Sequence, residues 1–248
     1  MLASGLLAGG QGWRLNIRQP VAGTLYVTIS KMIPDPILNI VIVLVVILLS
    51  MTLHEAMHAF VSYWLGDDTA KREGRLTLNP IKHIDPFLTI ILPVMLAIIG
   101  GPIFGGAKPV PFRPDMVKGG DWGAALVALG GPLTNLLIAF LAFGVGALTG
   151  VVTPAGFEAS FAGLVIMTTV SVNLGFFVFN MLPIPPLDGS RVVYALAPEF
   201  IRTGMRFIEQ FGIIFVFAIV LLAGSFLGVY MSGVIQFFLD VFSGVFRL

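Results

Sequence analysis

Residues 37–66 read ILNIVIVLVVILLSMTLHEAMHAFVSYWLG, and the interpretation of the whole chain depends on this stretch. It has the length and the apolar character of a membrane-spanning helix, because about 20 apolar residues cross the hydrocarbon core of a bilayer. Three ionisable side chains, His54, Glu55 and His58, nevertheless interrupt it. Ionisable groups at such a depth carry a high free-energy cost and mark functional positions. The stretch therefore predicts a membrane helix that carries a functional site.

The composition indicates a multi-pass membrane protein. Of the 248 residues, 57% are hydrophobic and 11% are charged, whereas about a quarter of the residues of a soluble domain are charged. The formal net charge is +1 and no basic cluster occurs, so nucleic acid is not expected as a partner. The chain contains no cysteine, and any metal site must therefore use histidine and carboxylate ligands.

Two further spans and two non-spanning parts can be recognised from their polarity. Residues 1–36 mix basic residues and prolines with apolar ones, and we expect a non-spanning or interfacial lead-in. Residues 67–86 are the most polar part of the chain and predict a loop. Uninterrupted apolar stretches at 122–149 and 160–182 predict two more spans. Together with the helix at 37–66, they form an expected core of three helices.

The C-terminal part of the chain contains one polar stretch and one apolar stretch. Residues 190–207 carry several charged side chains and indicate a polar connection. No charge occurs between Phe211 and Leu239, which predicts one span followed by a short second span or an interfacial helix. Gly228 and Ser232-Gly233 are the candidate breaks within it.

The distribution of lysine and arginine predicts the orientation of these helices. The loops 67–86, 105–121 and 190–207 each carry several basic residues, whereas the loop 150–159 carries none. Cytoplasmic loops are enriched in basic residues, so the histidine-bearing end of the first helix is expected to face the cytoplasm. The apolar segment 87–104 lies between two basic loops, which favours a re-entrant hairpin over a crossing. Irregular backbone at this depth is tolerated where it lines a cavity.

The pattern H-E-x-x-H at residues 54–58 predicts a zinc site. His54 and His58 are four residues apart and therefore lie on one face of the helix, where both imidazoles can reach one metal ion. Glu55 projects about 100° away, because successive residues of an α-helix are rotated by that angle. Its position suits the general base that takes a proton from the attacking water and passes it to the leaving amine.

A catalytic zinc ion takes three protein ligands and keeps one position open. The third ligand must be His83 or a carboxylate, since the chain has three histidines and no cysteine. His83 lies in the polar loop, where we expect it to be a solvated histidine. Asp188 follows the third span and lies at the same expected depth as His54 and His58, and we favour it as the third ligand.

At this point the sequence resembles the site-2 protease family of intramembrane zinc metalloproteases. The resemblance covers roughly residues 37–195. It is carried by four motifs, which are HEAMH at 54–58, LNPIKHIDP at 78–86, GGPLTN at 130–135 and NMLPIPPLDG at 180–189.

The resemblance implies that His54, His58 and Asp188 bind one Zn²⁺ ion per chain and that Glu55 is the catalytic base. It implies that Asn180 helps to hold the substrate or the developing oxyanion. It also implies a three-helix core with a membrane-embedded β-rich stretch between its first two helices, which supports a re-entrant segment at about 87–112.

The expected fold class is therefore an all-α polytopic membrane protein, with a three-helix catalytic core, C-terminal helices and the re-entrant or β-rich segment. We expect a lead-in at 1–36, a metalloprotease core at 37–207 and C-terminal helices at 208–248. The expected setting is a prokaryotic cytoplasmic membrane, with the active site toward the cytoplasm.

The expected activity is zinc-dependent hydrolysis of a peptide bond in or near a transmembrane helix of a membrane-anchored protein. That protein and the lipid bilayer are the expected partners. Two other hypotheses remain open at this stage: a metal transporter or other non-hydrolytic metal-binding membrane protein, and a pseudoprotease that binds transmembrane helices. Glu55 separates the first of these from a protease, because only a protease needs it as a base.

Overall fold

The computed structural model describes residues 36–91, 94–95 and 106–248, so the predicted lead-in at 1–36 lies almost wholly outside the described residues. Its helices in chain order are α1 (Pro36–Trp64), α2 (Thr69–Arg72), α3 (Gly120–Leu148), α4 (Phe161–Asn180), α5 (Gly189–Leu196), α6 (Glu199–Glu209) and α7 (Gly212–Phe246). A small antiparallel hairpin, β1 (Val152–Thr153) and β2 (Gly156–Phe157), joins α3 to α4. Four described helices, α1, α3, α4 and α7, are long and apolar enough to cross a membrane. These observations confirm the all-α polytopic fold class.

Helix α1 begins at Pro36 and ends at Trp64, and Gly66 follows its C-terminal end. Pro36 suits the first turn of a helix, where an amide N–H has no partner within the helix. At the other end Gly66 adopts a φ of +105°, and the Asp67 N–H donates to Ser62 O at 2.9 Å. This arrangement satisfies the last carbonyls of the helix. The Lys118 N–H then donates to Leu65 O at 2.8 Å, so α3 starts beside the end of α1 and runs back.

Helix α3 packs against both α1 and α4, and α1 also contacts α4. Glycines allow the close approach of α3 to its other neighbours: a Cβ at Gly144 would lie 2.5 Å from Phe246, and one at Gly146 would lie 2.5 Å from Val152. The largest apolar cluster joins α3, α4, α7 and the hairpin; its buried members are Ala139, Phe143, Val152, Val170, Leu174, Val178, Ile235 and Phe242.

The segment predicted to be re-entrant is described in part, because residues 92–93 and 96–105 lie outside the described residues. Before the gap, Pro86–Ile91 form a π-helical turn. After it, the Gly106 N–H donates to Leu88 O at 3.0 Å, and the Thr89 hydroxyl donates to Gly106 O at 2.7 Å. The residues on the two sides of the gap are therefore in direct contact, and the re-entrant course of the segment stays a prediction. The described part of 87–112 contains no β-strand, so the β-rich character is not found there.

One expectation for the C-terminal part of the chain, the position of the break in its apolar stretch, was wrong. The polar connection at 190–207 is helical: α5 and α6 meet at Pro198, which caps α6 and is followed by Glu199 in the first turn. An acidic residue is favourable at a helix N-terminus. The apolar stretch from 211 forms one helix, α7, whose irregular point is Ala223 (φ −117°, ψ 15°) rather than Gly228 or Ser232-Gly233. Gly224 and Ser225 follow this kink, and glycine–serine pairs are a known cause of kinks.

Asp67 ties the loop after α1 to the segment before α3. It is fully buried, and it accepts hydrogen bonds from the Thr69 N–H at 2.9 Å, the Thr69 hydroxyl at 2.5 Å and the Arg113 N–H at 2.7 Å. Burial raises the pKa of the Asp67 carboxyl, but these hydrogen bonds outweigh burial and hold the pKa below its ordinary value. Asp67 therefore stabilises the fold in its ionised form.

We expect Asp67→Asn to lower the Tm at pH 7, and we expect the difference from the unmodified protein to shrink as the pH falls below about 4. A carboxyl whose folded pKa is lowered stabilises the fold above its unfolded pKa, and this contribution is lost as the pH falls through the folded pKa. Thermal unfolding in detergent at a series of pH values measures the effect. Asp68→Asn is the matched control, since the Asp68 side chain is 46% exposed. A difference that stays constant with pH would contradict the assignment.

Candidate metal centre

Three side chains from distant parts of the chain direct one atom each toward a common point. His54 Nε2 and His58 Nε2 lie 3.0 Å apart. Asp188 Oδ2 lies 3.2 Å from His54 Nε2 and 3.5 Å from His58 Nε2. The two histidines are buried, with exposed fractions of 2% and 8%. These are the only three ligand-type side chains that cluster in this way among the described residues.

The geometry of this cluster fits a tetrahedral metal ion. Zinc–nitrogen and zinc–oxygen bonds are about 2.0–2.2 Å long, so tetrahedral ligand atoms lie about 3.3–3.5 Å from one another. The observed separations of 3.0, 3.2 and 3.5 Å are close to this value. Space beside the ligand atoms exists because residue 131 is glycine: a Cβ there would lie 2.5 Å from the Nε2 atoms of both His54 and His58. Two imidazoles and one carboxylate form the donor set of a hydrolytic zinc site.

The end of α4 folds back so that Asp188 reaches the histidines of α1. Helix α4 ends at Asn180, and the proline-rich turn that follows carries the chain to Asp188 at the start of α5. Gly189 makes the close packing possible, because a Cβ there would lie 2.3 Å from Met181 O.

Asp188 is a carboxylate, the form that binds a cation. Its Oδ2 atom lies within 3.5 Å of both Nε2 atoms, and an ionised carboxylate oxygen only accepts, so its lone pairs are available to a metal ion.

The other ring nitrogen of each histidine has its own acceptor. His54 Nδ1 lies 2.6 Å from Asn135 Oδ1, and His58 Nδ1 lies 2.8 Å from Val127 O. Since a carbonyl oxygen only accepts, each Nδ1 carries a hydrogen, and each Nε2 is left with a lone pair directed at the cluster. Such outer hydrogen bonds orient metal-binding histidines and increase their basicity. Helix α3 supplies both acceptors.

The acceptor of His54 belongs to a buried chain of amides. Asn135 Nδ2 donates to Asn173 Oδ1 at 2.9 Å, and Asn173 Nδ2 donates to Ser50 Oγ at 2.8 Å. Asn135 and Asn173 are completely buried. The chain runs through α3, α4 and α1, so the orientation of His54 depends on all three core helices.

Glu55 stays outside the three-atom cluster. Its side chain is buried, and Oε2 accepts a hydrogen bond from the Val110 N–H at 2.8 Å. Val110 belongs to residues 106–113, which precede α3 in the chain. The carboxylate therefore lies beside the candidate ligands without being one of them.

Two other residues singled out from the sequence lie apart from the cluster. The Asn180 amide donates to Phe176 O of its own helix at 3.0 Å, and its role with substrate stays a prediction. The expectation that His83 is a solvated loop histidine was wrong: it is 1% exposed, and its Nε2 lies 2.9 Å from Thr77 O. Its backbone carbonyl also accepts from the Lys108 N–H at 2.9 Å, so His83 packs beneath the 106–113 segment.

Several residues that shape the site carry no recognisable signal in the sequence. Asn135 and Asn173 join helices by hydrogen bonds, as polar side chains in apolar spans do, but the sequence does not reveal that Asn135 binds His54. The contact of Val110 with Glu55 uses a backbone amide, and the residue type does not predict which backbone amide makes such a contact. Small residues allow close helix approach, and Gly131, the second member of the pair Gly130-Gly131, lies against both histidine rings.

A multi-pass helical membrane protein whose H-E-x-x-H helix meets a distant aspartate defines a class, the membrane-embedded zinc metalloproteases. Comparison with known proteins gives the family. The chain is 40% identical over 172 residues to "Putative zinc metalloprotease YwhC" of Bacillus subtilis, which covers 68% of this chain and 75% of the relative. It is 33% identical over 199 residues to "Putative zinc metalloprotease Rip2" of Mycolicibacterium smegmatis, and 32% identical over 199 residues to the Mycobacterium tuberculosis protein of the same name. These two matches cover 80% of this chain and 72% of each relative.

The chain belongs to the site-2 protease family of intramembrane zinc metalloproteases. No protein-family model and no solved structure matches it. Zinc is accordingly its cofactor, and the cluster of His54, His58 and Asp188 has the donors and the spacing to hold it.

We expect Gly131→Ala to weaken zinc binding while leaving the fold intact. The new methyl group would occupy the space beside both Nε2 atoms and push the rings apart. Zinc affinity, measured by competition with a chromogenic chelator in detergent, should fall by more than tenfold, at the scale of changes next to a metal site. Gly175→Ala is the matched control, because a Cβ at that helical glycine meets no atom within 4 Å. Equal zinc affinity of the two variants would contradict the prediction.

We expect Asn135→Leu to weaken zinc binding by about 10- to 100-fold, the usual cost of losing an outer hydrogen bond to a metal-binding histidine. Leucine keeps the approximate volume but cannot accept the Nδ1–H of His54. The same chelator competition measures the change. Asn180→Leu should bind zinc as the unmodified protein does, because its amide bonds only to α4. Unchanged affinity in Asn135→Leu would show that this hydrogen bond does not orient the ligand.

Proposed function

We propose that this protein is a zinc-dependent intramembrane endopeptidase that hydrolyses a peptide bond in or near a transmembrane helix of a membrane-anchored protein. The observation that carries the proposal is the position of Glu55. It lies beside the cluster of His54, His58 and Asp188 but outside it, in a helix of membrane-spanning length. A separate carboxylate next to three candidate zinc ligands is the arrangement that hydrolysis requires.

Each of these side chains has a defined part in the proposed reaction. His54, His58 and Asp188 hold the metal, and zinc bound there would polarise the scissile carbonyl and acidify a water molecule. Glu55 accepts a proton from the attacking water and delivers it to the leaving amine. The buried surroundings strengthen these electrostatic effects, because little bulk water screens them.

The depth of the site supports a membrane-anchored substrate. His54 and His58 belong to α1, one of the four spans, and their surroundings are formed by the other core helices. A transmembrane helix hides its amides in internal hydrogen bonds, so it must unwind locally before it can be cut. An unwound stretch can pair with a neighbouring strand. Residues 106–113 lie next to Glu55, but Pro109 and Pro111 lack an N–H and the Pro109 carbonyl already accepts from Arg75, so a paired substrate would donate to the Pro111 carbonyl.

The charge distribution supports an active site that faces the cytoplasm. The histidines lie in the C-terminal half of α1, and the loop that follows carries Lys71, Arg72, Arg75 and Lys82. The hairpin at the opposite end of α3 carries no lysine or arginine. The positive-inside rule then places the site toward the cytoplasmic side of a cytoplasmic membrane.

The alternative of a metal transporter or a non-hydrolytic metal-binding protein is not favoured. The Glu55 carboxylate is hydrogen-bonded to Val110 rather than to the metal ligands, and metal binding alone would not require a carboxylate at this position.

We expect Glu55→Gln to keep one zinc ion per chain and to lower cleavage of a single-pass membrane protein by about 100- to 10,000-fold, the range expected for a general base. Asp188→Ala should lose zinc as well as activity, because it removes one of three ligands. The purified protein is incubated in detergent with candidate single-pass substrates, and products and bound zinc are measured. A chelator should stop cleavage by the unmodified protein, and added zinc should restore it.

The matched control is Glu73→Gln, since Glu73 is an exposed glutamate in the loop after α2. It should retain both zinc and activity. Undiminished cleavage by Glu55→Gln would contradict the role of Glu55, and loss of zinc from Glu55→Gln would favour a metal-binding function instead. Retention of full zinc by Asp188→Ala would contradict the proposed ligand set.

A further inference from the structure

A single peptide group connects a buried arginine to the proposed general base. The Val110 N–H donates to Glu55 Oε2 at 2.8 Å. The carbonyl of the same peptide group, Pro109 O, lies 3.3 Å from Arg75 Nη2, which also donates to Lys108 O. The order of groups is therefore guanidinium, peptide carbonyl, peptide N–H and carboxylate. Hydrogen bonds arranged in such a chain polarise and strengthen one another.

The sequence around this peptide group restricts its orientation. Pro109 has its φ fixed near −65°, and Val110 precedes Pro111, which confines Val110 to extended backbone. Val110 has the only N–H among residues 109–111. The peptide itself is planar, so fixing its carbonyl fixes the direction of its N–H. The Pro-Val-Pro sequence thus presents one donor, and that donor meets Glu55.

Arg75 fixes the carbonyl end of this arrangement. It is 6% exposed, and no carboxylate lies within ion-pair distance of it in the part of the chain that the structure describes. A buried guanidinium is costly without partners, and its recorded partners are the carbonyls of residues 108 and 109. A surface arginine of the same loop, Arg72, instead pairs with Asp68 at 2.7 Å and is 59% exposed. Arg75 therefore has a specific structural task that its neighbour does not share.

We propose that Arg75 is a positioning residue for Glu55, acting through the Pro109–Val110 peptide group. Its guanidinium holds the two carbonyls, and the held peptide directs the Val110 N–H at Glu55 Oε2. This hydrogen bond fixes the carboxylate and leaves Oε1 to take the proton of the attacking water. Lys108 adds a second attachment, because its N–H donates to the carbonyl of buried His83. The proposal rests on the proposed function, since it assigns Arg75 a part in positioning that base.

The test compares Arg75→Ala and Arg75→Lys with Arg72→Ala, each purified as the full chain in detergent. With a single-pass membrane substrate, Arg75→Ala should lower kcat by about 10- to 100-fold, the range for an outer-shell partner of a catalytic group. KM and bound zinc should change little, whereas Tm should fall modestly, because two hydrogen bonds of a buried side chain are lost. Arg75→Lys should recover part of kcat, because it restores the charge but not the planar guanidinium whose Nη2 reaches both carbonyls. Arg72→Ala should behave as the unmodified protein.

A second measurement does not depend on proteolysis. Hydrogen–deuterium exchange of the peptide that covers residues 106–113 reports on the six amides of this segment, among them those of Lys108 and Val110, and the two prolines add no signal. Exchange should become faster in Arg75→Ala and should stay unchanged in Arg72→Ala. If no substrate is cleaved by any form of the protein, the proposed function fails, while the exchange result still decides whether Arg75 holds the segment.

Val110→Pro provides an independent variant, because it removes the one N–H that reaches Glu55 and leaves Arg75 in place. It should lower kcat as Arg75→Ala does, and more than Val110→Ala, which keeps the amide. Wild-type kcat in Arg75→Ala, or unchanged exchange of 106–113, would overturn the proposal. Parallel loss of zinc and activity would overturn it as well, because it would assign Arg75 a role in the fold rather than in positioning the base. If Arg75→Ala does not fold, Arg75→Lys and Val110→Pro decide between these outcomes.

Discussion

The structure depends on bringing two imidazoles and a carboxylate within 3.5 Å of one another inside an apolar helical bundle. Without a cation the lone pairs of these groups would oppose each other, and burial would make the repulsion severe. Several features of the fold serve this one arrangement. Residue 131 must be glycine, since a Cβ would touch both imidazoles, and Gly189 must allow the end of α4 to turn back. The metal site thus requires small residues at these positions, in addition to the requirement set by helix packing.

The metal ligands are oriented from the side opposite the metal. Helix α3 accepts hydrogen bonds from both imidazoles, and the amide chain from Asn135 through Asn173 reaches back to Ser50 of α1. Each buried amide in this chain is satisfied, which matters because an unpaired amide in an apolar interior is costly. The same network therefore links the three core helices and sets the tautomer of His54. The same hydrogen bonds therefore hold the helices of the bundle together and orient the metal ligands.

Local patterns in the sequence account for much of this site. The spacing of His54 and His58 follows from helix geometry, and the shared depth of Asp188 follows from hydropathy and loop charge. Features that depend on side-chain partners across helices could not be predicted: the burial of His83, the binding of Asn135 to His54, and the contact of Val110 with Glu55. The kink at Ala223 was also missed, because α7 contains several glycines and serines that could each bend it, and the sequence does not distinguish Gly224-Ser225 from the others.

The two halves of the candidate active site are supported by different parts of the molecule. His54 and His58 are oriented by α3, and Asp188 is placed by the turn after α4, so the metal ligands depend on the helical core. Glu55 shares a helix with the histidines, but its hydrogen-bond partner is Val110, in the segment 106–113 that precedes α3. A displacement of that segment would change the environment of the carboxylate while the ligands kept their geometry. Metal binding and base positioning are thus separable in this fold, and a substrate that contacts residues 106–113 would act on the base alone.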